Sequence, residues 1–191
     1  MSHIICIASQ KGGAGKTTTT VNLAASLALF EKRTLVIDCD PQGNATTGLG
    51  IDKKKLQWDL YDVLVGKAPA QKAVVSTALN YLDVLPARFH LHQMENPLAT
   101  KSRRERILKT RLYTLTARYE FILLDTPPSL GFLTLNALTA ASWLIIPLQC
   151  QLYALEGLGQ LLTVVREVRK ELNRRSEEHT SEFQSHSGIS Y

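Results

Sequence analysis

Residues 11–18 constrain this chain more than any other stretch. Lys11-Gly12-Gly13-Ala14-Gly15-Lys16-Thr17-Thr18 directly follows an apolar run, 3–9, that reads as a buried strand, and it opens a helical pattern over 17–30. The glycines let the backbone curl so that successive N–H groups point inward, and the positive end of the following helix adds to their pull on an anion. A strand, such a turn and a helix N-terminus together make a phosphate-binding loop. In that arrangement the backbone from Gly12 to Thr18 cradles phosphate oxygens, with Ala14 as a small residue among the glycines. Lys16 lies against the outer phosphates, and the Thr17 hydroxyl is a ligand for Mg²⁺. A further lysine, Lys11, opens the loop, which the minimal GxxxxGK[ST] pattern does not require.

Beyond the loop, short apolar runs alternate with longer amphipathic stretches. Strands are expected at 34–38, 82–85, 121–125 and 143–148, and helices at 59–65, 102–119, 130–141 and 155–172. Apolar runs without polar alternation, separated by helices, predict a parallel sheet buried on both faces. The expected fold class is α/β, a mostly parallel, doubly wound sheet with helices on both faces. Ligands of such sheets sit at the carboxyl ends of the strands. The chemistry-bearing residues fall there: after Ser9, at Asp38, at Asp125 and after Leu148.

Asp125 ends the run Phe121-Ile122-Leu123-Leu124 and precedes the rigid turn Thr126-Pro127-Pro128. A carboxylate so placed holds Mg²⁺ directly or through a water. Asp38-Cys39-Asp40-Pro41-Gln42-Gly43-Asn44 brings two more acids, two residues apart at a strand end and so aimed to one side. Phosphoryl transfer needs positioning and charge neutralisation more than a strong base. Asp40 is therefore assigned to the attacking water and Asp38 to the magnesium shell, with a structural strand-end acid as the alternative for Asp38.

These motifs, together with Asp125-Thr126-Pro127-Pro128-Ser129, Pro147-Leu148-Gln149 and Ala154-Leu155-Glu156-Gly157, resemble the ParA/Soj chromosome- and plasmid-partitioning ATPases. That family belongs to the deviant Walker A group of P-loop NTPases, which also holds MinD and the nitrogenase iron protein. The resemblance runs over about residues 4–174. It implies an ATPase that uses ATP and Mg²⁺ and forms a homodimer when ATP is bound. Lys11 would reach across that dimer to the partner's phosphates, acting with Lys16 and Asp40 in catalysis, and Gly12 would lie at the close contact. The resemblance further implies that the ATP dimer binds DNA without sequence preference, through lysine and arginine contacts to phosphate. A ParB-like centromere-binding protein resets it by stimulating hydrolysis. Gln151 departs from the pattern, since many relatives carry an acid there. A MinD-like ATPase acting at a membrane is the nearest alternative; a non-hydrolysing nucleotide-binding regulator is a second, which the presence of Lys16 and Asp40 opposes.

Of 191 residues, 45% are hydrophobic and 20% charged, a composition that excludes a disordered chain. No run of about 18 apolar residues exists, so no membrane span is expected. Met1-Ser2-His3 lacks the charged and apolar regions of a signal peptide, which makes the expected address cytoplasmic, and nucleoid-associated if the resemblance holds. Cys6, Cys39 and Cys150 lie far apart in or beside apolar runs and read as buried free thiols. The net charge of +5 is clustered at Lys53, Lys54 and Lys55 and at Lys101, Arg103, Arg104, Arg106, Lys109 and Arg111, where a basic face can meet an anionic partner or simply be solvated. From Arg175 the chain turns polar and serine-rich. Residues 175–185 match what a common sequencing adaptor encodes in one frame, with Phe183 in place of leucine. The expected organisation is an ATPase domain over 1–174, lacking its last strands, and a disordered tail over 175–191.

Overall fold

Three apolar pentads, β1 (His3–Ile7), β2 (Thr34–Asp38) and β5 (Phe121–Asp125), form the middle of a sheet in a computed structural model that describes residues 2–94, 98, 103–148 and 154–172. With β3 (Val75–Ser76), β4 (Leu82–Leu85) and β6 (Trp143–Ile145), the described strands run in the order β3-β4-β2-β5-β1-β6. The ladders β4–β2, β2–β5, β5–β1 and β1–β6 are parallel, as apolar strands joined by helices require. The exception is β3, a two-residue edge strand antiparallel to β4. It is too short to carry a hydrophobic period. It forms because the chain reverses at 77–81, where Thr77 donates through its hydroxyl to the Leu82 carbonyl at 2.8 Å and Tyr81 takes a φ of 64°.

Alternate side chains of the central strands enter two separate cores. Cys6, Leu35, Ile37, Ile122 and Leu124 face one side, where they meet α3 (Leu60–Val65), α5 (Ile107–Leu112), α6 (Phe132–Ala140) and α7 (Ala154–Leu172). Ile7, Val36, Val84 and Leu123 face the other, where Ala24 and Ala28 of α1 (Lys16–Leu29) and Ala45 of α2 (Asn44–Gly48) close over them. A fully buried leucine or isoleucine in such a layer contributes about 1.5–3 kcal/mol. The doubly wound sheet with helices on both faces is thus the observed fold. A short α4 (Ala70–Ala73) leads into β3.

Two elements are shorter than expected. In place of a helix over 102–119, a 3₁₀ turn at Arg104–Arg106 leads into α5, which ends at Leu112; i→i+3 bonds then run from Leu115 N to Leu112 O and from Arg118 N to Leu115 O. Asn136 of α6 accepts from the Leu108 amide and donates to the Arg104 carbonyl, so a tertiary contact sets where α5 begins. Tighter turns bury Leu108, Leu112, Leu115 and Tyr119 as well as a long helix would. The strand expected over 143–148 stops at Ile145, because its partner β1 stops at Ile7 and only the Ala8 amide still reaches the Ile145 carbonyl. Cys6 and Cys39 are buried free thiols. Lys101, Gln149, Cys150, Gln151 and the tail over 175–191 lie outside the described residues. No helix among the described residues is long and apolar enough to cross a membrane.

Candidate functional site

The phosphate loop links the end of β1 to the start of α1. Gly13 has φ 74° and Gly15 φ 87°, left-handed conformations that glycine alone adopts without strain. A Cβ built at Gly12, Gly13 or Gly15 meets nothing within 4 Å, so the loop's surface is open. No side chain caps α1, and its first turn holds no acid. Its leading N–H groups are therefore available to an anion at the positive end of the helix. Lys16 is buried and donates to the Lys11 carbonyl at 3.1 Å. Desolvation lowers its pKa, against the opposing pull of Asp125 and Asp40, so the ammonium is poised beside acids rather than hydrated. Lys11 itself is half-buried, and Thr18 is exposed.

Asp125 joins this loop to the far strand. The Thr17 hydroxyl donates to Asp125 Oδ2 at 2.8 Å, and the Thr20 hydroxyl donates to Oδ1 at 3.0 Å. Thr20 was not anticipated, although its place three residues after Thr17 on α1 puts both on one helix face. The loops are also tied at their roots: Cys39 N donates to Asp125 O, and the Thr126 hydroxyl donates to Ile7 O, both at 2.8 Å.

Asp38 and Asp40 lie on the neighbouring loop. Asp38 Oδ2 accepts from both the amide and the hydroxyl of Thr46 at 2.7 Å, and Oδ1 accepts from Asp40 N at 3.2 Å. The Thr46 hydroxyl in turn accepts from Ala87 N at 3.0 Å. No local pattern announces Thr46, because its role depends on α2 folding back onto β2. Asp40, nearly buried, accepts from Gln42 N at 2.9 Å, and its carbonyl closes a turn with Gly43 N. Lys16, Thr17, Asp38, Asp40 and Asp125 thus cluster at the carboxyl ends of β1, β2 and β5. Burial raises the pKa of Asp125 to about 7 and that of Asp38 to about 6, with neighbouring carboxylates adding to each. Such a site favours a bound cation, and the oxygen donors of Thr17 and Asp125 are of the kind Mg²⁺ takes.

A second acidic group, Asp59, Asp62 and His90, has its own cation in place. Arg88 Nε donates to Asp59 at 2.6 Å, and Asp59 and Asp62 form the capping box of α3. It is read as structural.

The AAA domain family profile matches residues 2–177. The sporulation initiation inhibitor protein Soj of Bacillus subtilis is 51% identical over 173 residues, 91% of this chain and 68% of that protein. The chromosome partitioning protein ParA of Myxococcus xanthus is 50% identical over 173 residues, 91% of this chain and 61% of that protein. Among solved structures, cobyrinic acid a,c-diamide synthase of Mycobacterium smegmatis with bound ADP and magnesium superposes with a TM-score of 0.87 at 40% identity, covering 91% of this chain and 71% of that one. A fold with a phosphate loop, a strand-end acid and relatives of this kind defines a P-loop NTPase. The chain belongs to the AAA domain family, in its ParA and Soj branch.

Proposed function

We propose that this chain is the nucleotide-binding part of a Mg²⁺-dependent ATPase that works as a dimerisation switch in chromosome or plasmid partitioning. The observation that carries the reading is the 2.8 Å bond between the Thr17 hydroxyl and Asp125, which joins the phosphate loop to a buried acid. Thr17 and Asp125 are the residues that would hold Mg²⁺, and the ion's role when bound is to neutralise phosphate charge. Residues 12–18 receive the phosphates through backbone N–H groups, and Lys16 supplies a desolvated cation against them. Asp40 orients the attacking water. Asp38, engaged by Thr46 and the Asp40 amide, contributes negative charge beside the metal and shapes the loop that carries Asp40.

Lys11 completes the switch from the partner subunit. A cation delivered in trans stabilises phosphate charge only when two loaded subunits meet, which couples dimerisation to ATP. Non-specific DNA and a ParB-like protein are the proposed partners of the dimer, in a cytoplasmic, nucleoid-associated setting. The names of Soj and ParA support partitioning over membrane positioning. The test is sedimentation of the purified chain with and without ATP and Mg²⁺, followed by retention on unrelated duplex DNA. An ATP-dependent dimer that retains DNA in low salt is expected; a chain that binds ATP and stays monomeric would overturn the switch.

A further inference from the structure

The lysine run 53–55 reads in sequence as one basic group, but its members do different things. Lys54 and Lys55 are exposed on a 3₁₀ turn capped by Asp52, whereas Lys53 is half-buried and folds back onto the Asp40 loop. Its Nζ donates to the Gln42 carbonyl at 2.7 Å. It can lie that close because residue 43 is glycine. A Cβ there would stand 2.6 Å from Lys53 Nζ and 2.7 Å from both Lys53 Cε and the Ala87 carbonyl, and the φ of 63° also favours glycine. The Asp40–Gly43 turn is therefore held from inside by Asp40, whose carboxylate accepts from Gln42 N, and from outside by Lys53 on the same residue's carbonyl. Ala87, which packs on this turn, also donates to Thr46, the residue that holds Asp38.

We propose that Lys53 is a positioning residue for hydrolysis: it fixes the turn that aims Asp40, and so sets turnover rather than nucleotide affinity. The proposal rests on the reading of Asp40 as the residue that orients water. Lys53 reaches Asp40 only through the backbone of Gln42, so its loss loosens the aim of the carboxylate without removing a charge from the phosphate loop.

The experiment compares ATP turnover and ATP affinity in the full chain carrying Lys53→Met, Lys53→Arg, Lys54→Met or Asp40→Ala, each checked by thermal unfolding. Loss of alignment alone is expected to lower kcat about tenfold in Lys53→Met with ATP affinity within about twofold of wild type. Lys53→Arg should recover most of the rate, since it can still donate to the carbonyl, and Lys54→Met should turn over as wild type. The proposal is overturned if Lys53→Met hydrolyses at the wild-type rate, if its rate and affinity fall together, or if Lys54→Met falls equally. If Asp40→Ala abolishes turnover while Lys53→Met hydrolyses at the wild-type rate, only this inference fails. If Asp40→Ala leaves turnover unchanged, or the wild-type chain binds ATP without hydrolysing it, the reading on which it rests fails first.

Discussion

Asp38 and Asp125 are direct register partners on β2 and β5, and both are fully buried. Two carboxylates side by side in a desolvated site are held down by their hydrogen bonds, from Thr46 and the Asp40 amide on one and from Thr17 and Thr20 on the other. The pair is therefore an unfavourable arrangement that a cation relieves.

That arrangement predicts a pH dependence of stability. Both acids have an ordinary pKa of 3.8 and rise on folding, to about 6 for Asp38 and about 7 for Asp125. The folded chain thus binds more protons than the unfolded one between about pH 4 and pH 7. Stabilisation from these groups is complete below about pH 4, is lost as the pH climbs through about 7, and is absent above it. Chemical unfolding of the ligand-free chain should show lower stability at pH 8 than at pH 5 from this source. Asp125→Asn should flatten that slope, and added Mg²⁺ should restore part of the stability at pH 8. An unchanged slope in Asp125→Asn would contradict the assignment.

Lys16→Ala removes the buried cation that faces Asp125 and Asp40. A charge-assisted contact to phosphate of about 2 kcal/mol corresponds to roughly thirtyfold in ATP affinity. Titration with a fluorescent ATP analogue should give that loss, and no ATP-dependent dimer should form at moderate nucleotide concentration.

Asp40→Ala should bind ATP normally and accumulate as the ATP dimer, because it retains the phosphate loop and loses only the group proposed to orient water. Turnover should fall by at least about a hundredfold, within the range expected for a positioned proton acceptor. Unchanged turnover would remove Asp40 from the reaction.

Gly12 and Gly13 should respond differently to substitution. Gly12 lacks a positive φ and has open space around it within one subunit, so Gly12→Val should fold within about 0.5 kcal/mol of wild type. If Gly12 sits at a close contact between subunits, the variant should still bind ATP yet fail to dimerise in sedimentation. Gly13→Ala, at φ 74°, should instead carry about 1–3 kcal/mol of local strain.

Much of the fold was legible because its strongest signals are local. The strands β2 and β5 end at Asp38 and Asp125 as expected, since an acid terminates an apolar pentad where the chain leaves the sheet. The phosphate loop was legible for the same reason. What stayed hidden depends on distant residues meeting. Thr46 reaches Asp38 only after α2 docks, Lys53 reaches Gln42 across a loop, and Asn136 sets the start of α5 from another helix. The spacing of Leu108, Leu112 and Leu115 read as one long helix because tighter turns bury the same residues.

Both oxygens of Asp125 already have a hydroxyl partner, Thr17 on one and Thr20 on the other. These two bonds latch the first helix to the neighbouring strand. A metal ion held by Thr17 and Asp125, as proposed, would not have to assemble this corner of the molecule: the Thr17 hydroxyl would pass from the carboxylate to the ion while Thr20 kept its bond to the other oxygen. Loading would then be a swap of one bond partner, with the helix anchored throughout.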